Sequence, residues 1–246
     1  MTGLVHSFIN NGVMHLELNR MDKKNSLNSE MYQAMTESII AAENDSDVRV
    51  ILFKGGFGCF CAGNDIQDFL DEEVIAPGSP IATFLHLLVD IEKPMIAAVS
   101  GPAIGIGTTL LLHCDLVYAT DKAIFSLPFV NLGVCAEAGS SYLLAQQIGH
   151  VRASELLMFG ENFDAKTAKD YGLINQVIGE NDYWDLAIEK AEKLASKPYD
   201  SLLTTKALMK TERATLHAVI DQEIAEFSRL LKTEEAKTIF SKFLKR

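Results

Sequence analysis

The stretch from Pro94 to Cys114 contains no Asp, Glu, Lys or Arg. A stretch of that length could cross a bilayer, but Ser100-Gly101-Pro102 and two further glycines divide it into two short pieces. The first piece, Met95–Val99, has the continuous apolar pattern of a buried parallel strand, and the second, Gly105–His113, predicts a buried helix. We therefore expect both pieces inside a large core, and no membrane span.

The length and composition are those of a globular protein. A chain of 246 residues can bury a sizeable core in one domain, or in one domain with an appendage. With 48% hydrophobic and 22% charged residues, disorder is not expected. The net charge of −11 argues against a nucleic-acid-binding protein, although a few local lysines could still bind an anionic ligand. The first residues lack the pattern of a signal peptide, so a cytoplasmic location is the expectation.

Before about residue 140, short apolar strands alternate with helices, which indicates an α/β fold with parallel strand pairing. The turn Asn10-Asn11-Gly12 predicts a hairpin. Later residues are mostly helical, and 215–242 is predicted as one helix. We expect a core over residues 1–190 and a helical C-terminal region over residues 191–246, which packs on the core or on a neighbouring subunit. Further predicted strands are Val13–Asn19, Val48–Phe53, Asp115–Ala119 and Ile174–Ile178; further predicted helices are Ser29–Glu43, Ile81–Glu92, Asp182–Ser196 and Ser201–Thr211.

Two segments have features of an active site. Glu137 is the single carboxylate in the largely apolar stretch 126–141, where burial would raise its pKa, as a proton-abstracting base requires. The segment around Gly105 and Gly107 has the pattern of a backbone amide cradle at a helix start, able to hold a developing oxyanion. A base and an oxyanion cradle can together move a proton next to a thioester carbonyl. The alternative for Glu137 is a solvated loop acid, or a helix N-terminal charge before Gly139-Ser140.

Other chemistries have weaker support. The Gly105-x-Gly107 turn lacks the third glycine of a dinucleotide-binding fingerprint and a well-placed acid beyond it. Ser140 and Ser141 are possible nucleophiles, but no Gly-x-Ser-x-Gly elbow is present, and we expect them to cap a helix over Tyr142–Ile148. The four cysteines show no paired ligand spacing, so buried reduced thiols are expected and a metal site is not.

Three motifs together resemble the crotonase (enoyl-CoA hydratase/isomerase) superfamily. Residues 60–69, FCAGNDIQDF, are similar to its F-x-A-G-x-D signature, and residues 94–107, PMIAAVSGPAIGIG, resemble its second signature, with Cys114-Asp115 following at the family's distance. Asn19-Arg20 and Asn25-Ser26-Leu27-Asn28 resemble its N-terminal motif. The resemblance extends from about residue 5 to 210, with the motifs in the family's order.

The resemblance implies a spiral of β-β-α units with a helical C-terminal region, of the kind that assembles homotrimers, often paired as hexamers. It also implies an acyl-CoA thioester as ligand, with coenzyme A bound as part of the substrate and no separate cofactor. In this family two backbone amides form the oxyanion hole, and the corresponding positions are Asn64 and Ile106. The implied substrate-binding residues are Ala62, Gly63, Asn64, Asp65, Ile66, Lys24, Gly105 and Phe129.

Some of these residues have structural alternatives. Lys23 and Lys24 lie where the family places a basic coenzyme A contact, although either could be an exposed solubilising charge. Lys206 or Lys210 is a further candidate for a phosphate contact, and could act from a neighbouring subunit. We expect Asp65 to fix the loop that presents the Asn64 amide rather than to do chemistry; its alternative role is to cap a helix over residues 66–71.

The positions of acids indicate the reaction. A hydratase like the family prototype uses two glutamates, and this chain has Thr109 and Phe129 at the corresponding positions, so prototype hydration is not expected. Glu137 instead corresponds to the single catalytic glutamate of the peroxisomal-type Δ3,Δ2-enoyl-CoA isomerases. The resemblance therefore implies isomerisation of a 3-enoyl-CoA to a trans-2-enoyl-CoA in fatty-acid β-oxidation. Another crotonase-type acyl-CoA isomerase or hydratase reaction, or a catalytically silent acyl-CoA-binding module, are the alternatives.

Overall fold

The strands form two sheets in the computed structural model, which describes residues 3–56, 58–70 and 74–244. The larger sheet has the order β1-β2-β3-β4-β6-β9, and the smaller has the order β5-β7-β8. The strands are β1 (Val5–Asn10), β2 (Val13–Leu18), β3 (Val50–Lys54), β4 (Met95–Val99), β5 (Pro102–Ile104), β6 (Leu116–Thr120), β7 (Ile124–Ser126), β8 (Phe163–Asp164) and β9 (Gln176–Ile178). The helices are α1 (Ser29–Asn44), α2 (Pro80–Asp90), α3 (Ile106–Thr109), α4 (Ser140–Ile148), α5 (His150–Phe159), α6 (Ala165–Tyr171), α7 (Tyr183–Ala195), α8 (Tyr199–Met209), α9 (Arg213–Leu231) and α10 (Glu234–Phe243).

The first two strands form the predicted hairpin. Asn11 and Gly12 both have left-handed backbone conformations, with φ of 49° and 76°. Two such residues make the turn whose twist matches that of the flanking strands. Asn10 pairs with Val13 across it in antiparallel register, which confirms the hairpin predicted from the sequence.

The chain passes through both sheets in repeated β-β-α turns. Strand β4 lies in the larger sheet and leads into β5 of the smaller sheet, and β6 and β7 repeat this step. Parallel pairing of β4 with β6, and of β5 with β7, stacks one turn of the spiral on the next. Every residue of β4 is buried. The α/β spiral and the buried parallel strand at Met95–Val99 are therefore confirmed.

The helix predicted over Gly105–His113 is wrong in its detail. Gly105 is the residue before the helix, with φ of 55°, and α3 continues only to Thr109. Residues 110–113 form a 3-10 turn, in which the bond from the Cys114 N–H to the Leu111 carbonyl has the tighter i to i−3 spacing. The tighter turn ends the helical segment directly before β6. Similarly, the segment predicted as a helix over 66–71 contains a 3-10 turn at Asp68–Leu70, and residue 71 lies outside the described residues.

The C-terminal region contains two helices where one was predicted over 215–242. The Thr233 side chain accepts a hydrogen bond from the Ala236 N–H at 3.3 Å and so caps a new helix, α10. The break lets α10 fold back over the loop after residue 60, where Phe69 lies 5.5 Å from Phe227 and 6.0 Å from Phe240, between ring centroids. The proposed domain division at residue 190 and the subunit assembly stay predictions. Among the helices of the described ranges, none has the length and apolar character needed to cross a bilayer.

Lys206 is a structural residue. Its side chain is 4% exposed, and its ammonium group lies 2.8 Å from the Asp115 carboxylate and 2.7 Å from the Lys93 carbonyl oxygen. Asp115 also accepts from the N–H of Met95, at the first residue of β4. This ion pair therefore joins α8 to the central strands, and the candidate role of Lys206 in binding a phosphate is wrong.

Replacing Lys206 by methionine should destabilise the fold. The variant keeps most of the aliphatic stem but leaves the Asp115 carboxylate without its cation, which typically costs about 3 kcal/mol for a buried pair. We expect the free energy of unfolding in urea to fall by that amount, whereas Lys193→Met, at an exposed lysine of α7, should have little effect. Equal stability of the two variants would contradict the structural role.

Candidate active site

The N-terminal motif holds the loop after residue 60. The Arg20 guanidinium forms an ion pair with Asp65 at 2.8 Å. The buried Asn25 side chain accepts from the Arg20 N–H at 2.7 Å and donates to the Cys59 carbonyl at 3.2 Å. The Asp65 N–H in turn donates to the Leu27 carbonyl at 2.7 Å. These bonds support the predicted positioning role of Asp65, because its side chain and backbone are both held by the N-terminal motif.

Two glycine-containing loops lie directly against each other. Cys61 and Ala103 form a parallel bridge, in which the Cys61 N–H donates to the Pro102 carbonyl at 3.0 Å and the Ile104 N–H donates to the Cys61 carbonyl at 2.9 Å. A Cβ atom placed on Gly107 would lie 2.7 Å from the Cys61 carbonyl oxygen. Gly107 is therefore required by the close approach of the two backbones.

This pairing brings the two predicted oxyanion-hole residues together. Gly63 and Gly105 turn their loops with φ of 99° and 55°, and Asn64 and Ile106 follow at equal distances from the bridge. In the part of the chain that the structure describes, the backbone N–H groups of Asn64 and Ile106 have no hydrogen-bond acceptor. Since backbone donors are normally paired, two adjacent unpaired N–H groups are well suited to bind an oxyanion.

Tyr32 fixes the side chain of Asn64. Its hydroxyl donates to Asn64 Oδ1 at 2.5 Å, and its ring is fully buried edge-on against Phe84 at 5.3 Å between ring centroids. Burial, together with the nearby charge of Glu137, raises the pKa of Tyr32 well above its usual value, so the hydroxyl stays a donor. Tyr32 thus connects α1 to the loop that presents the Asn64 amide.

Glu137 is a buried carboxylate with one oxygen held and one unpaired. Its residue exposure is 1%. Oε1 accepts from the Thr109 hydroxyl at 2.5 Å, whereas Oε2 has no partner within the described ranges. Burial raises the pKa of Glu137 to about 8; the Thr109 hydrogen bond opposes this shift and the charge of Glu223 adds to it. Ile106 lies one helical turn before Thr109, so Glu137 is attached to the same turn of α3 as the second unpaired amide.

The turn after Glu137 is strained. Ala138 and Gly139 have left-handed conformations, with φ of 59° and 72°, and for alanine this costs about 1 kcal/mol. The Ser140 N–H donates to the Glu137 carbonyl at 3.1 Å and closes the turn. His113 donates from Nε2 to the Ala138 carbonyl at 2.7 Å, and burial lowers the pKa of His113 to about 4, so this donor is neutral. The strained turn orients the Glu137 side chain.

A second buried carboxylate, Glu223 of α9, lies beside this turn. Its Oε2 accepts from the Gly139 N–H at 2.6 Å, and its Oε1 accepts from the Ser141 N–H at 3.0 Å and hydroxyl at 2.5 Å. The prediction that Ser140 and Ser141 cap α4 is wrong, because Glu223 supplies the acceptor that the helix start needs. Glu223 is separated from Gly139 by 84 positions, and the only sequence signal is an acid among the buried residues of an amphipathic helix.

A largely apolar cavity of about 440 Å³ opens beside the Asn64 loop. Of the predicted substrate-binding residues, those that line it are Ala62, Gly63, Asn64, Ile66, Gly105 and Phe129, and those that do not are Asp65 and Lys24. The C-terminal helices contribute side chains that were not predicted, namely Phe227, Ile239, Phe240 and Lys242. Glu137 and Ile106 are both buried and are not among the residues that line this cavity.

The three remaining lysine candidates differ in their surroundings, and Lys23 is exposed. Lys24 is exposed, and its carbonyl accepts from the Ala62 N–H at 3.0 Å, which places its backbone beside the cavity loop. A phosphate contact by Lys24 stays a prediction. Lys210 donates from Nζ to the His113 carbonyl at 2.8 Å, and burial lowers the pKa of Lys210 to about 8. Lys210 thus bonds to the residue that donates to the Ala138 carbonyl, in the turn after Glu137.

The chain belongs to the enoyl-CoA hydratase/isomerase family, whose sequence model matches residues 8–246. This confirms the resemblance to the crotonase superfamily. The structure is similar to that of Pseudomonas aeruginosa OdaA, with a TM-score of 0.96 and 41% identity over 99% of both chains.

Two curated enzymes are similar in sequence. Enoyl-CoA delta isomerase 2 of Rattus norvegicus is 33% identical over 242 residues, which cover 96% of this chain. The chain spans only 62% of the length of that enzyme. The 1,2-epoxyphenylacetyl-CoA isomerase of Escherichia coli (strain K12) is 35% identical over 231 residues, covering 91% of this chain and 88% of that enzyme. Because the two names describe different isomerisations, the reaction of this chain has to be argued from its own site.

Glu137→Gln should change how stability depends on pH. The pKa of Glu137 is about 8 in the folded protein, against an ordinary value near 4.5. Between these values the folded state binds a proton that the unfolded state does not, so stability falls as pH rises. We expect the unfolding free energy of the wild type to decrease relative to that of the variant from about pH 5 to about pH 8, and then to level off. Urea unfolding of both proteins across this range measures it, and parallel curves would show an ordinary pKa.

Proposed function

We propose that the protein isomerises a 3-enoyl-CoA to the trans-2-enoyl-CoA, as in the β-oxidation of unsaturated acyl chains. One observation carries this proposal. A single buried carboxylate, Glu137, has Oε1 held by Thr109 and Oε2 free, on the same helical turn as one of two adjacent unpaired amides. Such a site can remove a proton and stabilise the charge that results, and it needs no second acid.

The proposed reaction has two proton transfers and no net addition. Glu137 Oε2 removes a proton from C2 of the 3-enoyl thioester, where the carbonyl and the adjacent alkene both acidify it. The electron pair moves into a dienolate, whose thioester oxygen accepts hydrogen bonds from the Asn64 and Ile106 N–H groups. The same carboxyl then returns the proton to C4, and the double bond is left between C2 and C3. Every atom of the substrate is retained in the product.

Hydration by the prototype mechanism is disfavoured by the surroundings of Glu137. The two positions for the hydratase glutamates hold Thr109, which donates to Glu137, and Phe129, which lines the apolar cavity. Glu223 does not replace a missing acid, because both of its oxygens accept hydrogen bonds from Gly139 and Ser141. A carboxylate committed to backbone donors is not available to activate water.

We further propose that the acyl-CoA lies along the cavity beside the loop 62–66, with Phe129 and the C-terminal helices around its apolar part. The lining favours an aliphatic chain, because most of it is contributed by apolar side chains. Coenzyme A would enter as part of the substrate, with no separate cofactor. Lys24 is the proposed basic contact at the exposed end. The homotrimer or hexamer and the cytoplasmic location stay predictions.

A second candidate is a ring-type acyl-CoA isomerisation that uses the same base. The observation in its favour is the match to 1,2-epoxyphenylacetyl-CoA isomerase, which extends over 88% of that enzyme against 62% of the rat delta isomerase. It would use the same oxyanion hole, and it differs in the shape of the acyl group that the cavity must accept. Turnover of the epoxide, without turnover of 3-enoyl-CoA, would select this candidate.

The wild-type protein should convert a 3-enoyl-CoA to its conjugated isomer, and Glu137→Gln should lower kcat by about 100-fold or more. KM should change little, since the amide has nearly the same shape. Because Glu137 must be ionised to act and its pKa is about 8, kcat/KM should rise with pH and level off above about 8. The measurement follows formation of the conjugated thioester by its absorbance.

Glu161→Gln is the matched control, since Glu161 is an exposed glutamate that does not line the cavity, and the same replacement there should leave kcat unchanged. Absence of wild-type turnover, despite measurable acyl-CoA binding, would contradict the proposed reaction and favour a binding role.

A further inference from the structure

Glu223 is the buried acid to which the proposed reaction assigns no step. It comes from α9, in the C-terminal region, and it is 7% exposed. Its two oxygens receive three hydrogen bonds from Gly139 and Ser141, at 2.6, 3.0 and 2.5 Å. Both oxygens accept from backbone N–H groups, which can only donate, and these bonds favour the ionised form of Glu223 against burial, which raises its pKa. A buried carboxylate with this many hydrogen-bond partners is held in one fixed position by the fold.

The thiol, phenol and imidazole groups around the two carboxylates are neutral. Beside Glu137, the pKa of Cys61 is raised to about 12 and that of Tyr32 well above its usual value, chiefly by burial. Burial lowers the pKa of His113, which donates to the turn, to about 4. The Cys135 Sγ lies 3.7 Å from the Glu223 carbonyl, and burial raises the pKa of this thiol to about 11.

Two other acids of α9 near Glu223 in sequence are exposed and paired: Glu226 with Arg229 at 2.7 Å, and Asp221 with His86 at 3.1 Å. The buried groups whose ionisation bears on the turn after Glu137 are therefore Glu137 and Glu223, together with Lys210, which donates to the His113 carbonyl and whose pKa burial lowers to about 8. No cation in direct contact offsets the charge of Glu223 in the described part of the chain. Its field acts on Glu137 through a poorly screened interior.

We propose that Glu223 is a positioning residue for the isomerisation: its carboxylate holds the strained turn that aims Glu137, and its charge adds to the basicity that burial gives Glu137. The inference rests on the proposed function. Two separate effects follow from the geometry. The bonds to Gly139 and Ser141 hold residues shortly after Glu137 in the chain. Ala138, which lies between Glu137 and Gly139, has a left-handed conformation that needs such support to persist. The charge of Glu223 disfavours the loss of a proton from Glu137.

Two replacements of Glu223 separate these effects. Glu223→Gln removes the charge. It also places the NH2 of a side-chain amide, which cannot accept a hydrogen bond, against one of the backbone N–H donors. We expect the acid limb of kcat/KM to move to lower pH, and kcat on the plateau to fall about 10-fold or more through misplacement of the base. Glu223→Asp keeps the charge but shortens the side chain. It should lower kcat while leaving the acid limb close to its wild-type pH.

Glu226→Gln, an exposed neutralisation on the same helix, is the control and should match the wild type in both readouts. A measurement independent of turnover accompanies the kinetics. Carbon-13 NMR of labelled glutamate carboxyls follows the titration of Glu137, identified by the signal that Glu137→Gln lacks. In Glu223→Gln its midpoint should move to lower pH, and in Glu223→Asp it should stay. If the wild type lacks turnover, the proposed reaction fails, and this titration still tests the pairing of the two carboxylates.

The position of the acid limb also separates this role from a purely structural one. A structural role would lower kcat or stability without moving the limb or the NMR midpoint. A folded Glu223→Gln protein with a wild-type limb and a wild-type midpoint would overturn the proposal. If Glu223→Gln does not fold, the test is made on Glu223→Asp, which keeps the charge and should leave the Glu137 midpoint in place. A Glu137 midpoint that moves to lower pH in Glu223→Asp, as if the charge had been removed, would equally overturn the proposal.

Discussion

The site depends on a contact between two loop backbones that leaves no room for a side chain. The segment through Cys61 runs parallel to the segment through Ala103, and a Cβ atom on Gly107 would overlap the Cys61 carbonyl. Because backbone hydrogen bonds hold the two segments together, Asn64 and Ile106 lie on neighbouring loops, and within the described residues neither backbone N–H has an acceptor. The same helical turn that starts at Ile106 carries Thr109 to the base. The proposed oxyanion hole and the proposed base are thus placed by the same contact between the two backbones.

Burial accounts for the chemistry of Glu137. A carboxylate removed from water is a stronger base than one in solution, and its pKa of about 8 reflects this. Three contacts offset the cost of burying this carboxylate: Thr109 donates to Glu137 Oε1, His113 donates to the turn after Glu137, and Glu223 accepts a hydrogen bond at the start of α4. The remaining oxygen is closed to solvent as well. A dry base of this kind suits a reaction that moves a proton and adds no water.

Much of the fold was predictable because its signals are local. The hairpin at Asn11-Gly12 and the buried strand at Met95–Val99 follow from turn chemistry and apolar runs, and both were predicted. Helices α5 and α6 were not predicted, since their apolar faces are short and their stability comes from packing. The break at Thr233 was missed, although Thr-Glu-Glu is a helix-start signal that the long apolar period of the tail obscured.

The site was partly predictable for a related reason. Asn64, Ile106 and Glu137 lie in motifs with characteristic spacing, so the sequence indicated where to look. Glu223 has no such motif: its partner Gly139 is 84 positions away, and only the folding of α9 onto the core brings them together. The cavity residues of α10, such as Phe240, were missed for the same reason. Contacts of this kind are a product of tertiary structure.

The central claim is that one shielded carboxyl both removes and returns the proton. The most direct test is turnover of a 3-enoyl-CoA carrying deuterium at C2, in ordinary water, with the product analysed for the position of the label. Transfer by Glu137 alone predicts that a substantial fraction of the deuterium appears at C4 of the trans-2-enoyl-CoA. Complete loss of the label to solvent, or a product with water added at C3, would contradict a single shielded base.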